Sequence, residues 1–295
     1  MERRGREMQE IRIGIIGGSG LYRMDGVEQA ESIALDTPFG APSDELVCAV
    51  LRGKRVVFLP RHGRGHRLSP THVPYRANIH TFKQLGVRFI LSANACGSLR
   101  EDYAPGHLVI PDQIIDYTQA RDRSFFTGSY VAHIGVAEPF SPELSRILHS
   151  AAQQSGATVH AGGIFLIEEG PRFATRAESQ LFRSWGCSLI GMTSAPEAFL
   201  AREAEIAYAT IAHVTDYDVW HERETPVNVE DVLKVAAANV ERVQATLATA
   251  VEMLDETSDF AAHAALAQSL LGPPEQLPTE EADRLRLLLA KYYRL

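Results

Sequence analysis

An α/β fold with a mainly buried central sheet is what this sequence predicts, and three observations predict it. Strand-like apolar runs alternate with helix-like segments along most of the chain. The strand runs are apolar on both faces, as they are where helices cover both sides of a sheet. The helix starts are well marked. Ser141-Pro142-Glu143 sets a serine cap before proline at the first helical position, and both Thr175-Arg176-Ala177-Glu178 and Ser194-Ala195-Pro196-Glu197 fit the capping box.

Taken in order, residues 1–10 ("MERRGREMQE") form a loose charged arm, and "IRIGIIGGSG" is a strand running into a glycine turn. "LVCAVLRGKRVVFLP" (46–60) predicts two strands joined around Arg52-Gly53. "HVPYRANIHTFKQLG" (72–86) predicts a helix closed by Gly86. "VRFILSANACGS" is a strand ending in small residues, and "GHLVIPDQIIDYT" a further strand and turn. "IAYATIAH" is a buried strand that runs into "VTDYDVW" (214–220). No repeat or linker interrupts the chain before about residue 255. An alanine-rich segment and the loop "GPPEQLP" follow, then a last helix from about Thr279 with acids first and bases last, which suits the helix dipole. Leu285, Leu288, Leu289 and Tyr292 recur on it at helical spacing, as in an arm that packs on its own subunit or on a neighbour.

Composition narrows the function classes. The chain has 295 residues, 45% of them hydrophobic, and a formal net charge of −8. That charge argues against broad attraction to nucleic acid or anionic membranes, while leaving room for a local basic pocket. No signal-type or membrane-spanning run is visible. Cys48, Cys96 and Cys187 have neither a disulfide framework nor CxxC spacing, so a reducing cytoplasm is the expected location.

Six short stretches carry candidate chemistry. "GIIGGSG" (14–20) allows backbone N–H groups to approach an anion, with Ser19 as a hydroxyl donor; a plain tight turn and a dinucleotide-binding turn are its rivals, although GxGxxG is not what is written. "RHGRGH" (61–66) concentrates Arg61, His62, Arg64 and His66 at a strand end, where arginine forks onto phosphate or carboxylate, with a solvated basic loop as the alternative. "SANACGS" (92–98) permits close backbone approach or is simple strand–turn packing. Phe173, in "EEGPRFATRAES", has polar and Gly-Pro neighbours that suit an aromatic platform better than a core position. Thr193 and Ser194 in "GMTSAPE" sit at a helix N-terminus, a place for an anion or a cap. In "VTDYDVW", Asp216 and Asp218 share one side of extended chain and so one small space. A metal there is not favoured: strict alternation sends His213 to the face opposite Asp216, and His221 follows Trp220 in a loop.

The order of "IGIIGGSGLY", "DTPFGAPSD", "RHGRGH", "NACGSLRE", "EGPRFATRAES", "GMTSAPEAFLAREAEIAYA" and "TDYDVW" resembles the trimeric nucleoside phosphorylase family, and within it the 5′-methylthioadenosine phosphorylases. The resemblance runs from about residue 11 to 250. It implies one phosphorylase-like domain over 11–255 with a central mixed sheet, preceded by the arm 1–10 and followed by a C-terminal helical extension over 256–295. It implies phosphorolysis: inorganic phosphate, a co-substrate, cleaves an N-glycosidic bond to give a purine and a sugar 1-phosphate, with no cofactor and no metal. Ser19, Arg61, His62, Asn94, the Ala95 amide and Thr193 would surround phosphate. Met192 would meet the ribose, Phe173 the base, and His133, Val229, Val232 and Leu233 the 5′ end. Asp216 and Asp218 would read the purine, in a homotrimer with active sites near subunit contacts.

Elementary chemistry agrees with those implied roles. A bound phosphate exchanges its water for fixed donors, and the departing purine gathers charge that a proton at N7 relieves. Crowding two aspartates raises the pKa of one. The expected assignment is a protonated Asp216 at N7 and an ionised Asp218 accepting from the 6-amino group. Relatives acting on 6-oxopurines tend to carry Asn at the first Asp position and Glu after the Phe; Asp216 and Ala174 stand there, which favours 6-aminopurine. The alternatives are a phosphorylase of broader or 6-oxopurine specificity, a water-using nucleosidase, and a dinucleotide oxidoreductase with Asp36 on ribose.

Overall fold

In the computed structural model of the chain, residues 10–18, 21, 24–221, 229–272 and 277–294 are described, without the side chains of residues 229 and 231–233. Ser19 and the side chains of Val229, Val232 and Leu233 therefore lie outside the described residues. Strands β1 (Ile13–Gly17), β3 (Leu46–Leu51), β4 (Lys54–Pro60) and β5 (Phe89–Ser98) are apolar and mostly buried. The polar β2 (Val27–Ile33) is mostly exposed and pairs outside β3, as suits an edge. Beyond them lie β6 (Leu108–Ile110), β7 (Gln113–Tyr117), β8 (Val131–Ala132), β9 (Val159–Ala161), β10 (Ile164–Glu168), β11 (Cys187–Gly191), β12 (Ala207–Asp216) and β13 (Leu270–Leu271).

Among the described residues, eleven of these strands join one mixed sheet. Its main path is β2-β3-β4-β1-β5-β11-β10-β7, while β12 runs along β5 and carries β6 and β9 on its other side. β5 is the hinge of this branching. Its first half pairs parallel with β1, its end pairs antiparallel with β11, and β12 follows its whole length. "GHLVIPDQIIDYT" thus forms two strands, β6 against β12 and β7 against β10, where one was expected.

Among the described residues, six helices cover the sheet: α1 (Tyr75–Gln84), α2 (Pro142–Gln154), α3 (Arg176–Ser184), α4 (Ser194–Glu203), α5 (Val229–Met253) and α6 (Thr279–Leu289). Alternating side chains of β5 divide the core. Phe89 and Leu91 pack with Leu144, Leu148, Val243 and Leu247 of α2 and α5. Ile90 packs with Phe82, Leu200, Leu285 and Leu289 of α1, α4 and α6. α6 therefore docks on its own chain, and the segment around it is pinned by polar contacts. The Glu205 carboxylate accepts from the Tyr292 hydroxyl and the Leu266 N–H, and Glu281 accepts from the N–H groups of Ser129 and Tyr130.

Local signals explain most element ends. Arg52 and Gly53 both take positive φ (52° and 76°) and close the β3–β4 hairpin. Ser141 caps α2, and Thr175 and Glu178 complete a reciprocal capping box on α3. The third expected box does not form. Thr193 is the cap residue of α4 but makes no side-chain cap bond, Ala195 is non-helical (φ −114°, ψ 137°), and the Glu197 carboxylate turns inward to Arg61.

Candidate active site

The carboxyl ends of β1, β4, β5, β10, β11 and β12 open onto one cavity of about 460 Å³. Ligands of open α/β sheets sit outside strand carboxyl ends, where chains diverge. The β5/β12 branch makes such a divergence here.

One end of the cavity is a saturated network around Arg61, which is 2% exposed. Its Nε and Nη2 donate to the two oxygens of Glu197 (2.7 and 2.8 Å), Nη2 also to Ser92 Oγ (2.7 Å), and Nη1 to the Ala93 carbonyl (3.0 Å). One N–H on Nη1 is left for a ligand. Glu197 also accepts from the Tyr208 hydroxyl at 2.7 Å. Burial works against the guanidinium charge, but Glu197 outweighs it and holds the Arg61 pKa above its ordinary value. The network continues to Asn94, whose amide donates to Ser92 Oγ and Thr210 Oγ1 and whose carbonyl accepts from Thr193 Oγ1 (2.7 Å).

His62 lies beside this network. Its Nδ1 is 2.9 Å from the Leu68 carbonyl, which only accepts, so Nδ1 carries the proton and Nε2 is an acceptor. Burial, then the Arg61 charge, lowers its pKa to about 4. The ring stacks on His66 with centroids 4.2 Å apart.

The opposite end is acidic. Asp216 Oδ1 accepts from the Asp218 backbone N–H (2.8 Å), and Oδ2 from the Thr215 hydroxyl (2.7 Å). Asp218 sits in the left-handed region (φ 51°), which aspartate tolerates better than most residues, and is 5% exposed. One of its oxygens accepts from Ser179 Oγ. Burial pushes the Asp218 carboxyl above its ordinary pKa, and the Asp216 charge adds to that. The Thr215 hydroxyl, with one hydrogen to give, also faces the Cys96 carbonyl at 3.1 Å, and burial favours the neutral form of Asp218, which makes Asp218 a second candidate beside Asp216 for the proton at N7.

Two glycines make the geometry sterically accessible. A Cβ on Gly97 would lie 3.0 Å from Ile190, 3.1 Å from Asp216 Oδ1 and 3.3 Å from the Asp218 Cβ. A Cβ on Gly170, at φ 65°, would lie 2.6 Å from Met192 Sδ.

Arg61, His62, Asn94, Ala95, Phe173, Met192, Thr193, Asp216 and Asp218 thus line one cavity. His133 does not line it; its backbone N–H bonds to Ser269 O beside the β8–β13 pair. Helix α5, on which Val229, Val232 and Leu233 lie, contributes Ala236, Val240 and Val243 to the cavity wall.

The cavity wall also holds residues that the sequence motifs do not place there, among them His213 and Glu168. His213 reaches the same cavity as Asp216 because the β5–β12 register slips between Val214 and Asp216, so alternation fails there. Its Nδ1 is buried without a partner among the described residues, and burial lowers its pKa to about 4. Glu168, at the end of β10, also lines the cavity. Among the described residues, no group of three or more His, Cys, Asp or Glu is placed to hold a metal ion, and no helix is long and apolar enough to cross a membrane.

Comparison with known proteins places these features in context. The Phosphorylase superfamily model matches residues 12–252. The S-methyl-5′-thioadenosine phosphorylase of Chloroflexus aurantiacus is 53% identical over 287 residues, covering 97% of this chain and 100% of that protein. The protein of the same name from Geobacter sulfurreducens is 52% identical, with 97% and 100% covered. A solved methylthioadenosine phosphorylase sourced from an antarctic soil metagenomic library matches with a TM-score of 0.91 at 45% identity, over 95% of this chain and 99% of that one. Methylthioadenosine phosphorylase from Schistosoma mansoni in complex with adenine matches with a TM-score of 0.82 at 36% identity, over 88% and 99%.

Proposed function

The chain belongs to the phosphorylase superfamily, and from that premise we propose that it cleaves 5′-methylthioadenosine with inorganic phosphate to give adenine and 5-methylthioribose 1-phosphate. The observation that carries this proposal is the polarity of the cavity: a buried guanidinium with one free N–H at one end, and paired aspartates at the other.

Phosphate takes the Arg61 end, where the remaining Nη1–H is a donor, neutral His62 accepts a hydrogen bond from P–OH, and the Thr193 hydroxyl, which donates to Asn94, keeps a lone pair for a P–OH. Ser19 and the Ala95 amide complete this set. A phosphate oxygen attacks C1′ as the C1′–N9 bond breaks, and the bonding pair moves into the purine. Asp218 delivers a proton to N7, and adenine leaves neutral. The proton that phosphate loses on esterification balances the one later taken up by Asp218 from solvent. Asp216 accepts from the 6-amino group, and the Asp218 N–H and Thr215 hydroxyl hold it in place. Phe173 covers the base and Met192 packs against the ribose. The apolar wall of Ala236, Val240 and Val243 suits a methylthio group better than a 5′-hydroxyl.

The reaction needs no cofactor or metal in this scheme, and the cytoplasm supplies both substrates. Assembly as a homotrimer accounts for His133 lying away from the cavity of its own chain: it would serve a neighbouring subunit's 5′ end. Adenine release from methylthioadenosine, followed with and without phosphate, tests the proposal. Release that requires phosphate is the expected result; undiminished release in phosphate-free buffer would make the protein a nucleosidase. Inosine and methylthioinosine in the same assay test base choice.

A further inference from the structure

We infer that Glu168 is an additional specificity-determining residue, whose carboxyl pairs with the N1 and 6-amino edge of the purine and favours 6-aminopurines. The inference rests on the function proposed above. Its starting point is a carboxyl on the cavity wall that the protein leaves without a hydrogen bond. Glu168 ends β10, lines the cavity and is 7% exposed, yet its carboxyl has no hydrogen-bond partner among the described residues. Its oxygens are not among the buried atoms shut off without a partner, so the carboxyl is open to the cavity and available to a ligand there.

Its surroundings say which ligand atoms it meets. Asp218 lies near enough for its charge to act on Glu168, but the two are not hydrogen-bonded, so they are neighbours on the base-reading wall. A purine whose N7 and 6-amino group face Asp218 and Asp216 presents the second 6-amino N–H and N1 next around its rim. There Glu168 is the next polar group. A neutral carboxyl offers an O–H beside a C=O, which matches an N1 acceptor beside an N–H donor. An ionised carboxylate offers acceptors alone; it repels N1 of a 6-aminopurine and accepts from N1–H of a 6-oxopurine.

The groups facing Glu168 favour the neutral form. Asp216 ends β12, Asp218 opens the short 3-10 turn after it, and Glu178 is on α3; Arg172 is exposed and already paired with Glu178 at 2.7 and 2.8 Å. Tyr117, across the ladder in β7, packs on Phe182 and Trp185, and Arg121 approaches only the Glu168 carbonyl. Burial is the leading cause that pushes the Glu168 carboxyl up to about 8; the Asp218 charge adds to it once Asp218 has given up its proton.

The test compares phosphorolysis of methylthioadenosine and methylthioinosine by wild type, Glu168→Ile and Glu168→Gln from pH 6.5 to 9. In wild type, the kcat/KM ratio of the 6-amino to the 6-oxo substrate should fall about 10-fold as pH rises through 8. Glu168→Ile should lose roughly 10- to 100-fold in kcat/KM on methylthioadenosine, chiefly through KM. Glu168→Gln, whose amide again sets a donor beside an acceptor, should recover most of that loss and flatten the pH dependence of the ratio. An unchanged ratio in both variants, or a wild-type pH dependence that persists in Glu168→Gln, overturns the inference. Failure of wild type to release adenine at all would instead overturn the proposed function.

Discussion

The two ends of the cavity are built on opposite plans. At the Arg61 end a cation and its carboxylate are in place before any ligand arrives, and all but one of the guanidinium N–H groups are bonded. At the other end Asp216, Asp218 and Glu168 gather without a lining cation among the described residues. The saturated end is rigid and can only position its ligand. The acidic end holds carboxyls whose pKa values burial has raised, so it can exchange protons. Positioning and proton transfer are thus assigned to different ends of one cavity.

The largest expected effect breaks the acidic end. Asp218→Asn should reduce kcat on methylthioadenosine by roughly 10²- to 10⁴-fold, the usual worth of a positioned general acid, while phosphate KM changes little. Near-normal turnover would remove Asp218 from the acid role. Next comes the saturated end. Glu197→Gln leaves the Arg61 charge buried and uncompensated, which should cost on the order of 3–5 kcal/mol of stability and raise phosphate KM, measured by denaturant unfolding and steady-state kinetics. If Arg61 were held mainly by other contacts, stability would barely move.

How much of this was legible beforehand differs between the ends for a physical reason. Arg61, His62, Asn94 and the Asp216/Asp218 pair stand at strand ends in short, chemically dense motifs, so local sequence exposes them. The spacing of Glu197 from Ser194 fits a helix cap, whereas its partner in the fold, Arg61, is 136 residues away. Strict alternation misplaced His213, since nothing in "AHVTD" announces the register slip before Asp216. Nothing local marks Glu168; its place on the cavity wall comes from β7 and β11, which flank β10, and from the turn after β12, all distant in sequence. The sheet itself was legible as buried and flanked by helices, but not its branching at β5, which depends on which strands meet.

Smaller effects sharpen the contrast. Gly97→Ala forces a methyl against Ile190 and the Asp216 carboxylate, and should cost about 1–3 kcal/mol in stability or in adenine affinity. An unperturbed variant would mean that the acidic end is more pliable than its contacts indicate. The pH dependence of stability is the smallest term. His62 and His213, held neutral down to about 4, favour the folded state increasingly as pH rises towards their unfolded value near 6.5. Glu168, raised to about 8, acts oppositely: its contribution is complete below the unfolded carboxyl pKa and is lost as pH rises to 8. Between about pH 6.5 and 8 the raised carboxyls set the slope, Glu168 together with Glu203, which burial pushes up to about 7, and Glu168 alone should contribute a loss of up to about 1 kcal/mol per pH unit in ligand-free protein. Thermal unfolding of wild type against Glu168→Gln should show that slope reduced in the variant; equal slopes would contradict it.

The division of labour is tested most directly by a leaving group that needs no proton. An N7-methylated methylthioadenosine departs as a neutral base, so an acid at N7 has nothing to add. Turnover of the ordinary and the N7-methylated nucleoside should be measured side by side for wild type and Asp218→Asn. The ordinary substrate should lose roughly 10²- to 10⁴-fold and the methylated one less than about 10-fold. Equal losses on both substrates would show that Asp218 only shapes the pocket, and that the proton is not held at the acidic end.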